Sequence, residues 1–226
     1  MTTPDPSPYL VLIADIRDSR RLPDRQATQA RLHEVLMQLN TAAPDRLASP
    51  YTITLGDEFQ TVLLRGDTVF ADIVYVMSAM HPVTLRFALA TGTLDTPINP
   101  DQAIGMDGPA FHAARKAIEH LKTTDGVLAI VHGDSETGGA LLDDLLDDLV
   151  EGSLGLLNHH LRKWKPSRLA VLSGLLNDMG VPTIARHLGM SEQAVYKNMR
   201  AGELEHVIHL FQTFTTLINR RLQQVS

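Results

Sequence analysis

Tyr9-Leu-Val-Leu-Ile-Ala-Asp15-Ile-Arg-Asp-Ser19 opens with a six-residue apolar run that ends in an acid. The run is too short for a buried helix and contains β-branched residues, so Tyr9 to Ala14 reads as a buried strand with Asp15 at its end. Leu32, Val35, Leu36 and Leu39 then recur at helical spacing between Asp24 and Asn40. Pro44 to Pro50 reads as a break. Tyr51-Thr-Ile-Thr-Leu55 alternates as a half-buried strand does, Gly56-Asp57 supplies a turn, and Phe59 to Leu64 returns as the hairpin partner. Val69, Phe70, Ile73, Val74, Met77 and Met80 mark a helix, and Leu85 to Ala90 a strand closed by Thr91-Gly92. A loop from Asp95 to Gly108 precedes a helix with the stripe Ala110, Ala113, Ala114, Ala117, Ile118 and Leu121, and Val127 to Val131 reads as the last strand. The order β-α-β-β-α-β-α-β predicts an α+β domain whose sheet carries packed helices.

Composition narrows the class. The 226 residues are 44% hydrophobic, enough to bury a core. With no cysteine the chain has no disulfide, thiolate zinc site or cysteine nucleophile, which fits a reducing compartment. Met1 to Pro8 has no basic region of the kind that opens a secretory signal, and no apolar run approaches the ~20 residues of a membrane helix. A cytoplasmic location without membrane contact is expected. Charge divides unevenly: Met1 to Asn158 holds 11 Lys+Arg against 22 Asp+Glu, and His159 to Ser226 holds 9 against 4. The tail therefore suits a polyanion, whereas the acidic body needs a cation to hold one.

Between Gly133 and Gly139 the composition turns to Gly, Ser, Asp and Glu, which marks a domain edge. The expected division is 1–135 for the sheet domain, 136–165 for a helical connector and 166–226 for a C-terminal domain. Leu141 to Glu151 reads as a solvated amphipathic helix, and Leu156 to Lys165 as a segment ended by Pro166, where a new helix can start.

Asp15 at a strand end and Asp57 in a hairpin turn can converge. Two carboxylates there suit Mg²⁺ or Mn²⁺, since hard divalent ions take oxygen ligands and let phosphate oxygens complete the shell. Strand-end and turn aspartates also serve the backbone, so spacing alone leaves both readings open. Asp18, Ser19, Arg20 and Arg25 follow the first strand, where hydroxyls, arginine forks and a helix N-terminus suit an anion; they equally suit capping and solvation. His112 and Arg115 share a helix face at i, i+3.

The local strings sharpen this. Leu12-Ile-Ala-Asp15-Ile16 resembles the first metal-binding strand of class III nucleotidyl cyclases, and Thr54-Leu-Gly56-Asp57-Glu58-Phe59 resembles their second. Leu85 to Gly92 is similar to the next strand, and Gly108-Pro-Ala-Phe-His-Ala-Ala-Arg115 to the helix that reaches the triphosphate. The resemblance implies a ferredoxin-like or palm sheet, with Asp15, Asp57 and the Ile16 carbonyl at a metal and Arg115 at a phosphate. It departs at the base-reading positions, where Ile53 and Gly105 replace polar residues, and at Phe111, which stands for the transition-state Asn. An isoleucine cannot hydrogen-bond a purine edge. Over nearly the whole chain the closer similarity is to the SatD family, through Asp15 to Ser19, Leu22, Asp24-Arg25, Gly56-Asp-Glu-Phe-Gln60, Gly105 to Phe111, Ala114-Arg115 and Trp164.

Val181 to Leu188, Gly189-Met190 and Ser191-capped Glu192 to Arg200 resemble the helix-turn-helix of bacterial regulators, with Gln193, Tyr196, Lys197, Asn198 and Arg200 on the outer face. Amides and arginine read base edges, and Lys, Arg and Tyr hold phosphates. A helical packing module without DNA is the alternative. Leu204 to Leu222 carries an apolar stripe suited to self-association, hence an expected homodimer. Together these readings predict a regulator that couples a metal-dependent nucleotide or phosphorylated ligand to DNA; the alternative is a divergent cyclase or phosphoryl- or nucleotidyl-transfer enzyme.

Overall fold

The computed structural model describes residues 7–54, 56–133 and 141–223, so the expected domain edge after Gly133 lies outside the described residues. Strands β1 (Tyr9–Ile16), β2 (Leu47–Ile53), β3 (Glu58–Leu63), β4 (Leu85–Gly92) and β5 (Leu128–His132) form one sheet in the order β2-β3-β1-β4-β5. Helices α1 (Arg25–Ala42), α2 (Val69–Met80) and α3 (Pro109–Thr124) connect them in the expected sequence. The β-α-β-β-α-β portion is antiparallel, and α3 adds β5 parallel to β4 as a crossover.

Pleating sorts the core into two layers. Leu10, Leu12, Ala14 and Ile16 of β1 pack beneath α1 and α2, whereas Val11 and Ile13 face α3. The α1 start is fixed by Asp24, whose side chain accepts from the Ala27 N–H at 2.8 Å. The expected break from Pro44 to Pro50 is corrected: only Pro44–Arg46 is a turn, and β2 begins at Leu47 and runs through Pro50. Proline is tolerated because β2 is an edge strand whose register slips between Leu47 and Ser49 and again before Thr52. Beneath it the Tyr51 hydroxyl donates to Asp72 at 2.7 Å, and Arg46 donates to the same carboxylate, so a buried acid on α2 is tied to the β2 edge.

The rest is helical. The two segments expected around Glu151 and Leu156 are one 21-residue helix, α4 (Leu141–Leu161), which continues through Gly152 and Gly155. Asn158 of α4 finishes the sheet. Its Oδ1 accepts from the Leu128 N–H at 2.8 Å and its Nδ2 donates to the Leu128 carbonyl at 2.9 Å, as a neighbouring strand would. Then come α5 (Pro166–Leu176), α6 (Val181–Leu188), α7 (Glu192–Gly202) and α8 (Leu204–Gln223).

The α8 stripe is not a self-association surface, which corrects the expectation. Leu204, Val207, Phe211, Phe214 and Ile218 are buried within the chain, with Phe211 stacked on Phe70 of α2 at 4.6 Å between centroids. An amphipathic stripe reveals that a face is covered but not by what. The Asn219 side chain accepts from the Gly66 N–H at 2.8 Å, and a Cβ at Gly66 would come within 2.9 Å of Ile218. No helix among the described residues is long and apolar enough to cross a membrane.

Candidate functional site

The alternation that puts Val11 and Ile13 under α3 carries Asp15 to the same face, one residue before β1 ends. Register sets Asp15 opposite Glu58 of β3 on one side and Arg86 of β4 on the other. Asp15 is buried, and its Oδ1 has no hydrogen-bond partner. Arg86 Nη1 lies 3.6 Å from Oδ1 and Lys122 Nζ, near the end of α3, 3.7 Å from Oδ2, close enough to pair by charge but beyond hydrogen-bond length. Burial pushes the Asp15 carboxyl above the usual range; Arg86 and Lys122 oppose this, and nearby Asp57 adds to it.

The hairpin turn brings Asp57 to this strand end. Its carbonyl accepts from the Ile16 N–H at 2.9 Å, and the Ser19 hydroxyl donates to its carboxylate. Gly56 holds φ of 71°, where glycine is favoured, and its carbonyl accepts from Gln29 Nε2 at 2.8 Å. Arg25 reaches to 3.7 Å of the position a Gly56 Cβ would take, so the first turns of α1 close over the hairpin. Asp18 occupies the left-handed turn before Ser19, with φ of 50°, and Arg20 is exposed beside it. Arg17 pairs with Asp125, which Arg162 also contacts at 2.5 Å.

His112 and Arg115 stand elsewhere. Their side chains meet the Asp107 carboxylate at 3.0 and 3.1 Å, near the start of α3, whereas Lys122 reaches Asp15 from its end. Seven residues separate Arg115 from Lys122, about 10 Å of helix. His112, Arg115, Glu119 and Lys122 nevertheless share a face by their 3-4-3 spacing. Sequence reading missed Lys122, which that spacing from Arg115 could have revealed, and Arg86, which only strand register brings beside Asp15.

Asp15, Asp57 and Glu119, which holds Lys122 at 2.6 Å, are set against Arg86 and Lys122, so the net charge of the cluster is small and a bare divalent ion gains little net attraction. An ion carrying phosphate fits better: Asp15 Oδ1 and the Asp57 carboxylate offer oxygens to the metal, and Arg86 and Lys122 offer charge to the phosphate. Among the described residues no group of three His, Asp or Glu gathers at one point, so ligand oxygens would have to fill the shell.

In the tail, Gly189 turns the chain with φ of 62°, and Ser191 caps α7 by accepting from the Ala194 N–H at 3.2 Å. Gln193, Tyr196, Lys197 and Arg200 are exposed at i, i+3, i+4 and i+7. Asn198 turns inward instead: its amide donates to the Ala194 carbonyl at 2.9 Å and its oxygen meets the Ser167 hydroxyl on α5 at 3.4 Å.

The SatD family model matches residues 9–213. The chain belongs to the SatD family. Among solved structures this SatD chain is similar to a bacterial light-regulated adenylyl cyclase, at 15% identity over 57% of this chain and 44% of that one, with a TM-score of 0.43. It is similar also to the guanylyl cyclase domain of the RhoGC fusion protein from Blastocladiella emersonii, at 15% identity over 52% and 78% of the chains with a TM-score of 0.39. The adenylyl cyclase CyaB from P. aeruginosa shares 17% identity over 50% and 72%, with a TM-score of 0.32. The SatD chain thus spans less than half the length of the light-regulated cyclase. No curated protein matches it.

Proposed function

We propose that this SatD protein binds a divalent metal together with a nucleotide or another phosphorylated ligand at Asp15 and Asp57, and couples that binding to DNA through α6 and α7. The observation that carries the reading is the Asp15 carboxylate, buried with an unpartnered oxygen between Arg86 and Lys122. A purely structural acid in such a place is normally hydrogen-bonded. Asp15, Asp57 and the Ile16 carbonyl would hold Mg²⁺ or Mn²⁺, which would neutralise phosphate charge. Arg86, Lys122, Ser19 and Arg25 would take the phosphates, with Asp18 and Arg20 at the rim. His112 and Arg115, released from Asp107, would meet a ligand extended along α3.

In the tail, α6, the Gly189 turn and α7 form a helix-turn-helix in this reading. Gln193, Tyr196, Lys197 and Arg200 face the duplex, and Asn198 packs against α5. The second reading, a divergent cyclase or phosphoryl- or nucleotidyl-transfer enzyme, uses the same carboxylates. It is favoured by the hairpin turn that brings Asp57 to the end of β1, where its carbonyl accepts from the Ile16 N–H at 2.9 Å. Ile53, half-buried on β2, gives either reading no donor for a purine.

The test is a thermal-shift panel of nucleotides with Mg²⁺ or Mn²⁺ on the wild type and on Asp15→Asn/Asp57→Asn, since a ligand that binds only the folded state raises the midpoint. Mg²⁺ alone should give little shift. Mg²⁺ with the right nucleotide should stabilise the wild type and not the double variant. No shift with any nucleotide would sink the ligand assignment, and product formation from the stabilising nucleotide would favour the enzyme.

A further inference from the structure

Three of the seven large hydrophobic side chains exposed among the described residues lie on one helix: Leu145, Leu149 and Leu156 of α4, exposed to 50%, 67% and 73%. With Gly152 they fall at 4-3-4 spacing, the seam of a helix that packs against another helix. The opposite face is already used, since Leu154, Leu157 and Leu161 are buried in the chain's own core. Gly152 and Gly155 are next to proline the poorest residues for a helix interior. A Cβ at either would meet nothing within 4 Å, so packing inside this chain explains neither. A second helix lying close across the seam explains Gly152, whereas Gly155 lies to one side, on the cleft between α4 and β5.

We propose that this face pairs with α4 of a second copy, antiparallel, about a two-fold axis near Gly152. The seam is nearly symmetric about that residue: Leu149 and Leu156 stand three and four positions away, and Leu145 and His159 stand seven away on either side. An isologous contact requires this self-complementarity. Charge selects the direction. Asp148 and Glu151 lie in the first half of α4 and His160 and Lys163 at or just beyond its end, whereas Asp147 and Arg162 are held within the chain by Arg221 and Asp125. Antiparallel pairing sets each acidic half against the partner's basic end, whereas parallel pairing sets acid on acid. Gly152 lets the two backbones approach at the crossing point, and the leucines flank it. The contact needs neither a ligand at Asp15 nor DNA at α7, so it stands or falls apart from those assignments.

Sedimentation equilibrium of the full chain should return twice the chain mass for the wild type, and the chain mass for Leu149→Lys/Leu156→Lys at the same concentration. Both leucines are exposed, so the variant should keep its circular dichroism, and its melting midpoint should lose only the concentration-dependent part that pairing adds. Because the chain has no cysteine, orientation is readable by cross-linking. Gly152→Cys should form a disulfide with itself on oxidation, as close Cα atoms allow. Leu145→Cys should not, but should cross-link when mixed with His159→Cys. A monomeric wild type, a dimer that survives the double lysine variant, or self-linking by Leu145→Cys would each overturn the proposal.

Discussion

Phe70 on α2 and Phe211 on α8 lie 141 positions apart in sequence and stack with their rings 8° from parallel. This pair joins the helices that follow Pro166 to the sheet's own core cluster. Phe211→Ala should therefore cost about 3–5 kcal/mol. Because one core is shared, chemical denaturation followed by near-UV and far-UV signals should give coincident transitions in both proteins. Separate transitions would show that the tail melts alone.

The buried Asp72 joins Arg46 and Tyr51 across the β2 edge. Asp72→Ala leaves the Arg46 charge without its partner in a buried place and should cost about 3–5 kcal/mol. Tyr51→Phe removes one hydrogen bond to a charged group and should cost about 1.5–3 kcal/mol. Equal costs for the two in urea titrations would contradict this ranking.

Asp15 should behave as a residue held against stability. Its carboxyl titrates above the usual value because burial disfavours the charge. Between the unfolded and folded pKa values the folded state holds the proton more tightly, so this group adds stability as pH falls through that window and subtracts it above. Asp15→Asn should consequently melt at or above the wild type at pH 7. The difference should shrink as pH falls toward the unfolded carboxylate value. A variant that melts well below the wild type at pH 7 would make the Arg86 and Lys122 pairs the dominant effect.

The tail reading separates residues on one helix. Lys197→Ala and Arg200→Ala should each lower the salt slope of DNA binding by about one. Asn198→Ala should leave that slope alone and instead lower the melting midpoint, because its amide faces Ala194 and Ser167. Fluorescence anisotropy across a salt series reads all three, and an unchanged slope in the first two removes DNA from the proposal.

Much of the fold is legible in the sequence. Apolar periodicity marks every strand of the sheet and every helix between them, because each buries one face and leaves a repeat of two or nearly four. Proline misleads at Pro50, where an edge position removes the usual objection, and Gly152 and Gly155 interrupt a pattern without interrupting α4. The candidate site is half legible. Asp15 and Asp57 stand out as acids at a strand end and a turn, and Ser19 follows in the same motif. Arg86 does not stand out, since its nearness to Asp15 depends on register between strands some seventy residues apart. The destination of the α8 stripe is hidden for the same reason: a stripe records burial, and only the tertiary structure names the partner.

Asn158 gives β5 an end. A parallel strand with one open side presents backbone donors and acceptors to any passing strand, which is how sheets grow into aggregates. Here a side-chain amide occupies the first rung at Leu128, and α3 and α4 wall the cleft of about 810 Å³ beside the remaining residues. Losing that amide would do more than remove hydrogen bonds: it would turn the margin of a finished sheet into a template, and the damage would be seen in solubility before it was seen in any binding assay.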